Sequence, residues 1–109
     1  MFRQSLNADS AHVFACVTPN GACAQRRNTT GTSSISTSLD ANSAPIEWVR
    51  VNRTGNTFKL YRSKDGATWT LMQSVNLSWS GTVYMGLAVT SHNDGALSTA
   101  LFDNLAVRP

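Results

Sequence analysis

The chain has 109 residues, the size of one domain, and its hydrophobic content of 41% predicts a globular fold rather than a disordered chain. Only 14% of the residues are charged, so it lacks the outer-face glutamates and lysines that coiled coils and charged helical bundles need. The net charge is +3, but the basic residues are scattered and no apolar run reaches about 18 residues. These features argue against a nucleic-acid-binding basic patch and against a membrane-spanning helix.

A hairpin is predicted near the N-terminus. Residues 12–18 are a strand-like run, and the Thr-Pro-Asn-Gly sequence that ends it fits a type I turn with a bulge at the glycine. The chain then returns over residues 22–28. With the bulge, Cys16 faces Ala24, so Cys16 and Cys23 point to opposite sides of the hairpin. We therefore expect two free thiols.

The next stretch, residues 28–45, is rich in Ser and Thr, with Ile35 and Leu39 as its only large apolar residues. One interpretation is a long exposed loop. The other is a short edge strand over residues 33–38, because hydroxyl side chains suit a solvated sheet edge.

The clearest hairpin signal lies in the middle of the chain. Residues 46–54 and 57–63 alternate in polarity and flank a Gly-Asn turn. Alternation places Trp48, Arg50 and Tyr61 on the face opposite the apolar residues of the two strands. A further strand is predicted over residues 67–73.

Two longer strands are predicted at the C-terminal end, over residues 82–91 and 97–107, each bounded by turn residues. Nothing in the sequence shows helical periodicity with caps. The pattern predicts an all-β antiparallel sandwich or barrel in a single domain over residues 1–109. The apolar sides of the alternating strands predict a core of Val49, Val51, Phe58, Val83, Met85, Leu87 and Val89.

Four segments resemble a known family, in the order that the family has them: WVRV at 48–51, SKDGATWT at 63–70, GLAVTSHNDG at 86–95 and TALFDNL at 99–105. The family is the concanavalin A-like lectin or glucanase-type β-sandwich domain of secreted bacterial proteins, and the related domain of unknown function in the enolase-regulation protein family is similar. The resemblance implies a jelly-roll fold, an extracellular location and an accessory module with glycan or matrix binding. It also implies that the chain is the C-terminal part of a larger sandwich that lacks the first strands.

A second likeness concerns the turn at residues 63–69. Its Ser-Lys-Asp-Gly-Ala-Thr-Trp sequence resembles the sialidase Asp-box but is one residue short. The Asp-box is a structural turn that tucks its tryptophan under a hairpin. We therefore interpret Trp69 as a residue that packs in the core or against the turn.

Enzyme chemistry is not expected. Glycoside hydrolysis needs two carboxyl groups close together, and Glu47 is the only glutamate, with no carboxyl two or four positions away. A nucleophilic hydrolase needs a base, and the only histidines, His12 and His92, are expected to be surface imidazoles without a nucleophile motif.

Calcium is the one cofactor that the sequence leaves open. Concanavalin-like sandwiches often hold a structural calcium, and calcium prefers carboxylate and carbonyl oxygens on adjoining loops. Asn93, Asp94 and Asp103 are the candidate ligands, and the alternative is that these side chains satisfy their own turns. No other cofactor is expected.

The best binding constellation combines aromatic and basic residues. Flat aromatic faces stack on sugar rings, and arginine supplies directed hydrogen bonds. Trp48, Arg50 and Tyr61 share one face, and Arg26 would join them if its strand pairs there. The alternative is that the aromatic side chains pack under the Ser/Thr-rich loop. Trp79 and Tyr84 are the other exposed-aromatic candidates.

These observations predict a non-catalytic module that binds carbohydrate, with no nucleic-acid or membrane partner. The alternative is a structural or assembly domain without a small ligand, which associates through its sheet edges. If the first strands are absent, an unpaired edge and an uncovered apolar face remain, and a second copy of the chain could cover both. We therefore expect a homo-oligomer, with residues 1–6 or the strand at 11–18 near the contact.

Overall fold

The computed structural model describes residues 1–40 and 48–108, which contain eight strands and no helix. The strands are β1 (Phe2–Arg3), β2 (His12–Thr18), β3 (Gly21–Arg27), β4 (Ile35–Asp40), β5 (Trp48–Thr54), β6 (Thr57–Ser63), β7 (Thr70–Asn76) and β8 (Tyr84–Met85). They form two antiparallel sheets, a five-stranded sheet in the order β4-β3-β2-β1-β8 and a three-stranded sheet in the order β5-β6-β7. The all-β prediction is confirmed. In the described residues, no helix is long and apolar enough to cross a membrane.

The two sheets pack against each other through a small apolar core. Strands β2 and β3 contribute mainly small side chains, among them Val13, Ala15 and Ala24. Larger side chains come from the opposite sheet and the segment after it: Phe58, Leu60, Met72, Leu77 and Trp79. The alanines let the sheets approach, and the rings of Phe58 and Trp79 fill the space with centroids 4.9 Å apart.

The central hairpin forms as predicted. Thr54 pairs with Thr57 across a two-residue turn. Gly55 has φ of 59° and its successor does not have a positive φ, as in a type II′ turn, where the first central residue is glycine. The observed strand begins at Trp48, and the predicted start at residues 46–47, which includes Glu47, lies outside the described residues.

The bulged turn predicted for the first hairpin is wrong. Thr18 pairs with Gly21 and Cys16 pairs with Cys23, without a register shift between β2 and β3. This register places Ala22 and Ala24 on the same face as Val13 and Ala15, and these four side chains pack together in the core. Because a one-residue shift would turn one set of small side chains away from the core, burial favours the plain two-residue turn.

The edge-strand interpretation of the Ser/Thr-rich segment is the one that the structure supports. β4 lies at the outer edge of the five-stranded sheet, paired only with β3, over Ile35–Asp40. The last part of that segment, residues 41–45, lies outside the described residues. The strand predicted over 67–73 begins three residues later, at Thr70, because residues 64–68 form the turn that precedes it.

The C-terminal strand predictions are largely wrong. Only Tyr84–Met85 forms a strand, paired with β1, and no strand occurs over 97–107. Met85, Leu87 and Val89 are about half exposed, at 52%, 53% and 51%. Of the predicted core, Phe58 is fully buried, Val51 and Val83 are partly buried against the core, and Val49 is exposed. Alternation identified an apolar side of this segment, but nothing in the described chain covers it.

Candidate functional site

Three of the four predicted aromatic and basic residues lie together on the outward side of the three-stranded sheet. Arg50 on β5 pairs directly with Tyr61 on β6, and Trp48 lies two residues before Arg50 on the same face. The opposite face carries Val51 and Leu60, which pack against the core. The predicted face assignment is therefore confirmed for Trp48, Arg50 and Tyr61. We call this side of the sheet the outer face.

The guanidinium of Arg50 stacks between aromatic rings. Its Cζ lies 4.1 Å from the centroid of the Trp69 ring and 4.9 Å from that of Tyr61. Both distances are within the range of a cation–π interaction, which holds a flexible arginine in place without neutralising its charge. Arg50 itself is exposed, so its cation is accessible from solvent.

Trp69 is thus a member of the site that the sequence interpretation missed. The Asp-box likeness predicts instead that Trp69 packs in the core or against the turn. It immediately precedes β7 and is only half-buried. The signal that could have identified it is the occurrence of three aromatic side chains on adjoining segments of one sheet face.

The turn between β6 and β7 holds itself together with side-chain hydrogen bonds. Asp65 Oδ1 accepts hydrogen bonds from the backbone N–H groups of Thr68 and Ala67, each at 2.8 Å, and from Ser63 Oγ at 3.0 Å. These bonds stabilise the carboxylate and lower the pKa of Asp65, with the Thr68 and Ala67 bonds as the main causes. The Asp65 carboxylate therefore stabilises the turn and stays negatively charged.

The same turn supports Trp48. Gly66 has φ of 75°, and a Cβ placed there would lie 2.8 Å from Cε2 of Trp48. Only glycine meets both demands, because other residues disfavour this backbone conformation and would collide with the indole. Trp48 therefore rests directly on the turn backbone, half-buried at the border of the outer face.

A shallow depression of about 400 Å³ lies on the outer face beside the stacked residues. Its lining consists of Tyr61, Lys59, Asn52, Thr54 and Thr57. Hydroxyl and amide groups can both donate and accept hydrogen bonds, and the Tyr61 ring adds an apolar surface. This combination of groups suits a small polyhydroxylated ligand.

Arg26 does not join this cluster, which corrects the prediction. It lies on β3 opposite Val13, on the side of the five-stranded sheet that faces the core. The three-stranded sheet therefore separates Arg26 from Arg50 and Tyr61. Arg26 is half-buried, and its Nε has no hydrogen-bond partner among the described residues.

The burial of other candidate residues also differs from what the sequence predicts. Trp79 is only 5% exposed and belongs to the core, whereas Tyr84 is exposed on the five-stranded sheet. His92 is exposed, but His12, expected at the surface, is 7% exposed. Burial is the main cause that lowers the pKa of His12, and the positive charges of Arg27 and Arg3 act in the same direction.

The candidate calcium ligands use their oxygens locally. The side-chain oxygen of Asn93 accepts a hydrogen bond from the Gly95 N–H at 3.1 Å, and Asp103 Oδ1 accepts one from the Asn104 N–H at 2.7 Å. Asp94 lies in the same exposed turn as Asn93. No group of three or more His, Cys, Asp or Glu side chains with metal-binding geometry occurs in the described part of the chain. Calcium binding at these residues stays a prediction.

Comparison of the chain with protein-family models, curated proteins and solved structures finds no match. The resemblance to concanavalin A-like domains therefore stays a prediction. The fold is established as an all-β arrangement of two antiparallel sheets.

Proposed function

We propose that the protein is a non-catalytic carbohydrate-binding module of concanavalin A-like, jelly-roll type, with its binding site on the outer face. The observation that carries the proposal is the cluster of Trp48, Arg50, Tyr61 and Trp69 beside a hydroxyl- and amide-lined depression. Aromatic faces exposed next to directed hydrogen-bonding groups are what sugar recognition requires, because sugar rings present C–H faces and hydroxyl edges.

The position of the candidate site within the fold also supports a binding function. The site lies on a hairpin with a complete seven-pair register, not on a loop. The cation–π contacts and the self-bonded turn hold the aromatic groups before any ligand arrives. Such preorganisation lowers the entropic cost of binding.

A glycan array of neutral and acidic saccharides tests the proposal, with Tyr61→Ala as the variant and Tyr84→Ala as its matched control. Tyr84 is exposed but lies on the five-stranded sheet. We expect glycan binding to be lost in Tyr61→Ala and kept in Tyr84→Ala, while circular dichroism shows both variants folded. Absence of binding to every saccharide would refute the proposal.

The alternative, an assembly domain, is favoured by a different observation. Large apolar side chains in the C-terminal segment are exposed, including Leu97 at 101%, Leu101 at 95% and Leu105 at 68%. Monomeric proteins rarely expose so many neighbouring apolar groups without a partner. Sedimentation that shows association together with a negative glycan array would favour this alternative.

A further inference from the structure

The outer face carries positive charge that the described chain does not balance. Arg50 and Lys59 are both exposed, and no carboxylate among the described side chains, those of residues 1–37 and 48–108, pairs with either of them. Lys59 pairs with Asn52, so it is the diagonal neighbour of Arg50, at a Cα separation of about 7–8 Å. Two cations without a carboxylate partner among the described side chains therefore lie next to each other on the same face as the aromatic rings.

Among the described residues, no acidic side chain occupies an outward strand position on this face. The described outward positions are Trp48, Arg50, Asn52 and Thr54 on β5, Thr57, Lys59, Tyr61 and Ser63 on β6, and Leu71, Ser74 and Asn76 on β7. Asp65 carries a negative charge in the turn that follows β6, where hydrogen bonds of the turn itself hold its Oδ1. At the described outward strand positions the charged side chains, Arg50 and Lys59, are thus both basic, whereas an ordinary solvated sheet surface mixes both signs.

The two cations lie in and beside the depression in which a ligand would bind. Lys59 lines the depression together with Tyr61 and Asn52, whereas Arg50 lies beside it, stacked on Tyr61. A saccharide unit in the depression would meet an aromatic ring, hydroxyl and amide groups, and an ammonium group. A planar carboxylate on a neighbouring unit would match the exposed N–H groups of Arg50, since guanidinium and carboxylate form paired hydrogen bonds.

We propose that the outer face binds an acidic polysaccharide whose sugar units carry carboxylates. This inference rests on the proposed carbohydrate-binding function and specifies its ligand. Lys59 and Arg50 pair with successive carboxylates, Tyr61 contacts a sugar ring, and Asn52 with the threonines of the depression binds hydroxyl groups. Each exposed ion pair contributes little alone, but a polymer presents its carboxylate in every unit, so binding gains from repeated engagement.

The same observations disfavour a nucleic acid as the occupant. Nucleic-acid binding relies on several phosphate contacts along a track of lysines and arginines. The described outer face offers two unbalanced cations, and its depression is lined by hydroxyl and amide groups. Binding of single-stranded DNA is nevertheless an outcome that the experiment must measure.

The test compares polygalacturonate, whose carboxylates are charged, with fully methyl-esterified polygalacturonate, in which the same carboxyl groups are neutral methyl esters. Affinity electrophoresis or calorimetry with the full chain should show binding to polygalacturonate that is about tenfold tighter, and this preference should fall as sodium chloride rises. The double variant Arg50→Gln/Lys59→Gln should lose the preference. Arg108→Gln should keep it, because Arg108 lies outside both sheets.

Each outcome separates this inference from the proposal on which it rests. Equal binding of both polymers, lost in Tyr61→Ala, would leave a carbohydrate module and overturn the acidic ligand. A charge preference that survives in Arg50→Gln/Lys59→Gln would also overturn it, because the net charge of +3 would then explain the binding. Tighter binding of dextran sulfate or of an oligodeoxythymidylate would overturn the carboxylate assignment. Failure to bind either polymer or any arrayed glycan would refute both proposals.

Discussion

Substitution of Gly66 by alanine should destabilise the protein and disturb the candidate site together. Gly66 adopts φ of 75°, and an added Cβ would lie 2.8 Å from Cε2 and 3.0 Å from Cδ2 and Cζ2 of Trp48. These atoms belong to the fused part of the indole, so the whole ring must move to relieve the contact. Trp48 would then leave its place at the border of the outer face.

Two physical contributions determine how much Gly66→Ala should lower the free energy of unfolding. A positive φ costs a non-glycine residue about 1–2 kcal/mol, and overpacking against a rigid neighbour adds about 1–3 kcal/mol. Gly66→Ala should therefore cost about 2–5 kcal/mol. Gly81 provides a matched control, because its φ of 77° is nearly the same and nothing lies within 4 Å of an added Cβ. Gly81→Ala should cost only the backbone term.

Guanidinium unfolding of both variants, followed by circular dichroism, measures the two free energies of unfolding. Tryptophan fluorescence should also change in Gly66→Ala and stay unchanged in Gly81→Ala. Equal destabilisation by both substitutions would show that Trp48 does not rest on the turn, and would remove the argument that the turn positions this side chain.

Further predictions concern the core, a buried histidine, the thiols and the oligomeric state. Leu60 is 1% exposed and Leu87 is 53% exposed. Leu60→Ala should therefore lower the free energy of unfolding by about 2–5 kcal/mol, whereas Leu87→Ala should change it by no more than about 0.5 kcal/mol. Comparable losses in the two variants would mean that the C-terminal segment is packed. The pKa of His12 is lower in the folded protein than in the unfolded chain. The stability contributed by its neutral form is therefore complete above the unfolded pKa of about 6.5 and is lost as pH falls through the folded pKa. Unfolding titrations over this pH range should show the loss in the wild type and not in His12→Gln. Burial raises the pKa of Cys16 well above its usual range, so a thiol reagent should modify the native protein slowly and find two thiols after unfolding, and a finding of none would show a cross-strand disulfide. Sedimentation at micromolar concentration should show a homo-oligomer, and a folded 11.8 kDa species that does not associate would refute this expectation.

Local patterns predicted much of the β structure and the composition of the candidate site. The Gly-Asn turn and the alternation around it determine the central hairpin, because a two-residue turn sets the register and the register sets the faces. Trp48, Arg50 and Tyr61 could therefore be assigned to one face without a structure. Arg26 could not be placed, since its position depends on which sheet its strand joins, and that is a long-range choice.

The tertiary structure decided what each face meets. Alternation in the C-terminal segment is as regular as in the central hairpin, yet Leu87 and Val89 are exposed because a face is buried only when another element covers it. The turn after Thr18 shows the same dependence. Local turn chemistry predicted a bulged register, but the packing of Ala22 and Ala24 against the opposite sheet favours the observed register without a bulge. The sequence by itself thus determined which side chains share a face, and only packing between the sheets determined which faces are core and which can meet a ligand.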